Sequence, residues 1–144
     1  MKQHSAAFKP RRGGMGPKIV ALGGGPGLSP MLPGLKEYTK KITAIVTVTD
    51  DGGGSGVLRQ DLGMPPPGDI RNCLLALANT EPVMGELLGY RFTEGILKGQ
   101  SFGNLFLAAL NEISPSFDVA VRRMSEVLAI TGRVLPVTNE NVVL

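Results

Sequence analysis

The hydrophobic pattern of the chain begins with two strands. Lys18-Ile19-Val20-Ala21-Leu22 is a short apolar run, too short for an amphipathic helix and bounded by glycine, so 18–23 reads as a buried strand. Ile42-Thr43-Ala44-Ile45-Val46-Thr47-Val48-Thr49 is the strongest strand signal, rich in β-branched residues and ending on Asp50-Asp51. Between them 30–40 reads as a helix, with Ser29 as its N-cap and Pro33 distorting its first turn. Strand, glycine-rich turn, helix, strand makes a βαβ unit, whose crossover is right-handed and whose strands are parallel. Both of its loops then open at the carboxyl edge of the sheet, where open α/β folds bind ligands.

Further along, the pattern turns helical. Asp50 to Gly56 reads as a loop, followed by a short mixed piece over 57–62, and Pro65-Pro66-Pro67-Gly68 as a rigid lead into Asp69. Asp69 is placed to N-cap a helix over 69–79 with Ile70, Cys73, Leu74 and Leu77 on its apolar face. A helix over 82–92 and a loop over 93–100 follow. The stretch 101–113 is apolar on nearly every side, which predicts a buried helix. From Ser116 an amphipathic helix carries Phe117, Ala120, Val121, Met124 and Leu128 inward and ends on Gly132. The stretch 134–138 reads as a strand, with Pro136 near an edge. The fold class expected is α/β, a Rossmann-like doubly wound parallel sheet. Two or three strands for five helices predict that part of such a sheet lies elsewhere.

Composition narrows the chemistry. At 144 residues and 42% hydrophobic, the chain is one ordinary domain or part of a larger one. The lone cysteine, Cys73, forms no internal disulfide and suits a reducing cytoplasm, and no apolar run approaches a membrane span. His4 lies in what reads as a flexible basic tail, 1–17, so catalytic histidines and ordinary zinc sites are excluded from 18–144. The net charge of +3 belongs to the N-terminus. Residues 1–18 hold five Lys/Arg and no acid, while 19–144 hold ten Lys/Arg against twelve Asp/Glu. A mildly acidic body with little aromatic interleaving is not a nucleic-acid surface.

Four segments can carry chemistry. Gly23-Gly24-Gly25-Pro26-Gly27-Leu28-Ser29 leaves a strand and enters a helix, a place where backbone N–H groups approach phosphate. Its spacing is imperfect for a dinucleotide site, since the third glycine is missing. Asp50 and Asp51 stand beside a glycine run, where acids bind a ribose or hold Mg²⁺; a plain Asp-Gly turn is the alternative. Arg71 and Asn72 fall in a first helical turn, which favours an arginine only if an anion is near; pairing with Asp69 or Asp61 is the alternative. Ser101 and Asn104 introduce the apolar helix and serve equally as caps or as donors to a ligand. Cys73 reads as a small core residue.

Taken together, Gly23–Ser29, Asp50–Gly56, Gly68-Asp69-Ile70-Arg71-Asn72-Cys73-Leu74 and Ser101-Phe102-Gly103-Asn104-Leu105-Phe106-Leu107 resemble the CofD/YvcK-like family, nearest its gluconeogenesis-factor branch. The likeness runs from about Lys18 to about Thr138 and covers only the N-terminal half of a family roughly twice this length. It implies that 18–144 is a nucleotide-binding α/β domain, incomplete relative to the family. It implies a cytoplasmic regulator linked to cell shape and gluconeogenic growth that binds UDP-N-acetylglucosamine. The alternatives are a CofD-like Mg²⁺-dependent transferase of a phospholactyl-type group from a guanosine-linked donor, and an NAD-binding domain. The absence of histidine from 18–144 leans away from an enzyme. Carried over, Gly24, Gly25, Gly27, Leu28, Ser29, Ser55, Gly56, Asp69, Arg71, Asn72, Ser101 and Asn104 would bind nucleotide or phosphate. Asp50 and Asp51 would take metal or ligand. A further alternative, from the short sheet and not from the resemblance, is a homo-oligomer that replaces the missing strands. Pro26, Gly54 and Gln100 stand where the family usually has threonine, serine and often histidine.

Overall fold

Three parallel strands, β1 (Ile19–Gly23), β2 (Ile42–Val46) and β3 (Arg133–Pro136), form one sheet in the order β1-β2-β3 in a computed structural model that describes residues 16–50 and 53–142. The expected basic tail falls largely, and Asp51 wholly, outside the described residues. Ile19 pairs with Ile42 and Gly23 with Val46, while Thr43 pairs with Arg133 and Val46 with Pro136. Seven helices complete the described chain: α1 (Gly25–Leu28), α2 (Leu32–Tyr38), α3 (Gly53–Leu62), α4 (Gly68–Leu77), α5 (Pro82–Gly89), α6 (Phe102–Glu112) and α7 (Phe117–Val127).

The period of two in the strands sends Ala21, Ile42, Ala44, Val46 and Val134 into the core. There they meet α4, which is central because it contacts β2, β3, α1, α2, α6 and α7. Its Ile70, Cys73, Leu74 and Leu77 have no exposed surface. At about 25 cal/mol per Å² of apolar surface removed from water, burial of each leucine stabilises the fold by roughly 1.5–3 kcal/mol. The far end of α4 is pinned twice: Lys36 Nζ donates to the Ala78 carbonyl (2.7 Å) and Thr131 N to the Leu77 carbonyl (2.8 Å). On the opposite sheet face Val20 and Leu22 are 59% and 70% exposed.

Several elements differ from the sequence expectation. The predicted helix 30–40 is split into α1 and α2, and Pro33 sits in the first turn of α2, where proline removes no bond. Ser29 is therefore the C-cap of α1 and not an N-cap; its hydroxyl donates to the Gly25 carbonyl (2.7 Å). Gly53 to Leu62 is one helix, where a loop was expected through Gly56. Glycine is a poor helix former, but a Cβ on Gly54 would lie 2.6 Å from Gln100 Oε1 and 3.1 Å from the Gly99 carbonyl. Close packing on the 99–100 backbone overrides propensity there. α4 begins at Gly68 with Pro67 at the N-cap, so Asp69 lies inside the first turn. α5 stops at Gly89, because Phe92 N donates to Gln100 O and Phe102 N to Tyr90 O (both 2.8 Å), drawing 90–92 into a ladder with 100–102. α6 is buried along one face, not all round: Leu107 and Ala108 are covered, while Leu105, Phe106 and Leu110 are half-buried. α7 ends at Val127, with Gly132 beyond it at φ +83° entering β3.

Candidate functional site

The site is built where α3, α4 and α6 meet near the ends of the strands. Ser101 caps α6 by accepting from Asn104 N (3.1 Å) and also accepts from Arg71 Nη1. Arg71 Nη2 donates to Asn72 Oδ1 (2.6 Å). Ser55 Oγ accepts from Gly68 N (3.1 Å) and, at 3.5 Å, from Asn104 Nδ2. One polar network thus ties three helices together, with Ser101 both capping α6 and accepting from Arg71. Gly103 permits this, since a Cβ there would lie 2.5 Å from the Leu88 carbonyl and 2.7 Å from Arg71 Cδ.

Around this network lies a cavity of about 160 Å³ lined by Asp50, Gly53, Gly54, Ser55, Gly68, Asp69, Arg71, Asn72, Arg91 and Asn104. Its surroundings leave Arg71 Nε and Asn104 Oδ1 buried without a hydrogen-bond partner. Buried polar groups are normally paired, so one orphan donor and one orphan acceptor on residues lining the same cavity, with Gln100 Oε1 a third orphan among the described residues, set this region apart. Burial also moves the ionisations. Desolvation, with the neighbouring charge of Asp50, raises the Asp69 carboxyl above its ordinary range, against the Gly25 N–H and Arg71, which pull it down. Desolvation and the charge of Arg91 lower Arg71. Cys73 is pushed up to about 12, mainly by burial and then by Asp69, which makes it an inert core thiol.

The glycine loop packs closely against α4. Gly25 presses on α4 so tightly that a Cβ would lie 2.7 Å from Asp69 Cγ and 2.8 Å from Asp69 Cα. Its N–H donates to the Asp69 carboxylate. The N–H groups of Gly27 and Leu28 go to the Gly24 carbonyl (3.2 and 3.0 Å), and that of Ser29 to Gly25 (3.0 Å). Leu28 is a core side chain. Of the residues singled out in the sequence, Asp50, Ser55, Asp69, Arg71, Asn72 and Asn104 line the cavity; Gly24, Gly25, Gly27, Leu28, Ser29, Gly56 and Ser101 do not. Gly53, Gly54 and Gly68, which belong to the motif segments but were given no binding role, line it too, as does Arg91, which stood in none of them. Arg91 was hidden by reading the helix through 92; its setting between Tyr90 and Phe92, ahead of the glycine-bounded loop, is the signal that marks it.

For a divalent cation, the donor set is two carboxylates, Asp50 and Asp69. Among the described residues no cluster of three or more His, Cys, Asp or Glu could hold a metal. Two carboxylates with water and phosphate oxygens completing the shell fit Mg²⁺, which dehydrates reluctantly. A larger groove of about 410 Å³ lies along α7 and β3. No described helix is long and apolar enough to cross a membrane.

Comparison with known proteins places this arrangement. Residues 19–144 match the family model described as 2-phospho-L-lactate transferase CofD. The chain is 54% identical over 132 residues to the gluconeogenesis factor of Bacillus subtilis, covering 91% of this chain and 42% of that protein. It is 74% identical over 127 residues to a Thermoanaerobacterium thermosulfurigenes protein that carries the same name provisionally, covering 88% of this chain and 39% of that protein. The crystal structure of a UPF0052-family protein from Bacillus halodurans superposes with a TM-score of 0.83 at 48% identity, over 89% of this chain and 42% of that one. The chain therefore spans about two fifths of the length of these relatives. Across residues 19–144, from the first strand to the last, this chain belongs to the CofD family, on its gluconeogenesis-factor (YvcK) branch.

Proposed function

We propose that this chain supplies the nucleotide-binding part of a gluconeogenesis-factor-type regulator. Its cavity takes the diphosphate of a nucleotide sugar, UDP-N-acetylglucosamine, in the control of cell shape and of growth on gluconeogenic carbon. The observation that carries the reading is the pair of buried, unpartnered groups, Arg71 Nε and Asn104 Oδ1, beside a polar cavity shared by two carboxylates and two arginines. An arginine donor suits phosphate oxygen, and an amide acceptor suits a sugar or ribose hydroxyl. An NAD-binding role draws less support, because the Gly27, Leu28 and Ser29 amides are already spent on backbone carbonyls. A second reading, Mg²⁺-dependent transfer of a phosphorus-containing group, is favoured by Asp50 and Asp69 facing one cavity.

Calorimetric titration with UDP-N-acetylglucosamine, NAD and GDP, each with and without Mg²⁺, tests both. The regulator reading expects saturable binding of the UDP-sugar and weak or no binding of NAD; the reverse order overturns it. Asp50→Asn should reduce only the Mg²⁺-dependent part of binding. If Mg²⁺ leaves the parent chain's affinities unchanged, the metal role is wrong.

A further inference from the structure

The three parallel strands start side by side, since Ile19 pairs with Ile42 and Thr43 with Arg133. Each is entered from a cation: Lys18 precedes β1, Lys40 and Lys41 precede β2, and Arg133 opens β3. Neighbouring strands lie about 4.8 Å apart, so these four charges gather at one end of the sheet. They rim an open pocket of about 280 Å³ that has Ile19, Val20 and Ile42 in its lining and no carboxylate. Among the described residues none of the four side chains has a hydrogen bond or ion pair, and Lys18, Lys40 and Arg133 are exposed. Lys40 and Lys41 follow the C-terminus of α2, whose partial negative charge favours them; that accounts for neither Lys18 nor Arg133.

The N-terminal basic run joins the fold at the same end. Thr39 Oγ1 donates to the Pro17 carbonyl (2.8 Å), and a Cβ on Gly16 would lie 2.5 Å from the Tyr38 carbonyl, so the chain is held beside Lys40 as it enters β1. Residues 1–18 carry five Lys/Arg and no acid. With Lys40, Lys41 and Arg133 they account for eight of the chain's fifteen Lys/Arg, leaving seven against twelve Asp/Glu in the remainder. The cavity where α3, α4 and α6 meet lies toward the opposite, carboxyl ends of the strands, where Asp50 follows β2.

We propose that the amino end of the sheet docks on an anionic lipid bilayer, with Lys18, Lys40, Lys41 and Arg133 against the headgroups and Val20, 59% exposed, on the apolar floor between them. A negative plane matches cations spread over three strand starts, and the basic run beside them adds attraction without needing a defined geometry. The acid-rich remainder turns the molecule so that the carboxyl end of the sheet faces water. Docking therefore leaves the cavity open, and it does not rest on the identity of the cavity's ligand.

The test is flotation of the full 144-residue chain with vesicles of phosphatidylglycerol mixed with phosphatidylcholine and with vesicles of phosphatidylcholine alone, alongside a titration with polyuridylate. The parent should float with the anionic vesicles and not with phosphatidylcholine alone. Each lysine near such a surface is worth about fivefold in affinity, so Lys18→Gln with Lys40→Gln should weaken vesicle binding about tenfold or more. Lys98→Gln with Arg122→Gln removes the same charge elsewhere and should change it by less than about threefold. Both pairs should keep the parent's melting temperature, since all four residues are exposed. If the first pair melts early, Arg133→Gln alone decides: about threefold or greater weakening supports docking, and a smaller change overturns it. Failure of the parent to float with the anionic vesicles overturns the proposal, and binding to polyuridylate in that case makes nucleic acid the partner. Equal flotation with phosphatidylcholine alone, or equal losses in the two pairs, overturns it as well.

Discussion

At the scale of single residues, Asp69 has the most constrained position in the site. It touches the glycine loop on one side and the cavity on the other. Because desolvation raises its folded-state pKa, the folded state holds the proton more tightly than the unfolded chain does. Stability should then fall as pH rises through and above the ordinary carboxyl value of 3.8, and level off past the raised value. Asp69→Asn should remove that slope, as read by denaturant midpoints measured across pH 3–7. Gly25→Ala should cost about 1–3 kcal/mol, because the added methyl meets the backbone of Asp69 and not a movable tip; urea unfolding measures it. Ser101→Ala should cost about 1 kcal/mol through the lost cap of α6, and it should weaken anion binding as Arg71 loses its anchor. The sequence made Asp69, Arg71 and Ser101 visible as chemistry because their neighbours are glycines and helix starts. It did not reveal their orientation. Whether the Gly25 amide faces a ligand or a carboxylate is set by α4, whose first turn is more than forty residues away in the chain.

Among the elements, the strands and α4 were legible because their apolar periods are strong and local. Ile42 to Val46 alternates between buried and half-buried, and Ile70, Cys73, Leu74 and Leu77 repeat at helical spacing. The misreadings have one physical source. In α3 Gly54 makes a close approach to Gln100 and the Gly99 carbonyl, and tertiary packing won over propensity. At 90–92 a backbone ladder with 100–102 ended α5 early, with no local residue to announce it. Gly132 connects these ideas to the sheet. Its φ of +83° and the Ile42 carbonyl beside its absent Cβ make the entry to β3 specific to glycine. Gly132→Ala should cost about 1–3 kcal/mol by thermal or chemical unfolding. An exposed glycine with ordinary φ, such as Gly27, should tolerate alanine within about 0.5 kcal/mol.

For the whole molecule, the open feature is the sheet. Parallel sheets are covered on both faces in α/β proteins, yet β1 shows Val20 and Leu22 on its outer face. The chain studied alone should therefore self-associate or bind apolar dyes. Val20→Thr with Leu22→Thr should lessen that, measured by sedimentation, with stability altered by about 0.5 kcal/mol or less per site. Deep on the other side lies Cys73, the only cysteine in the sequence, fully enclosed in α4 and with its thiol pushed up to about 12. It is a built-in clock. A thiol reagent reaches it only when α4 parts from the sheet, so native-state labelling times the rarest and largest opening of the fold. A molecule held in the cavity where α3, α4 and α6 meet bridges elements that α4 joins, and it should slow that clock by the factor that its binding stabilises the closed chain. Occupancy of the cavity can thus be read from a single sulfur atom that never touches it.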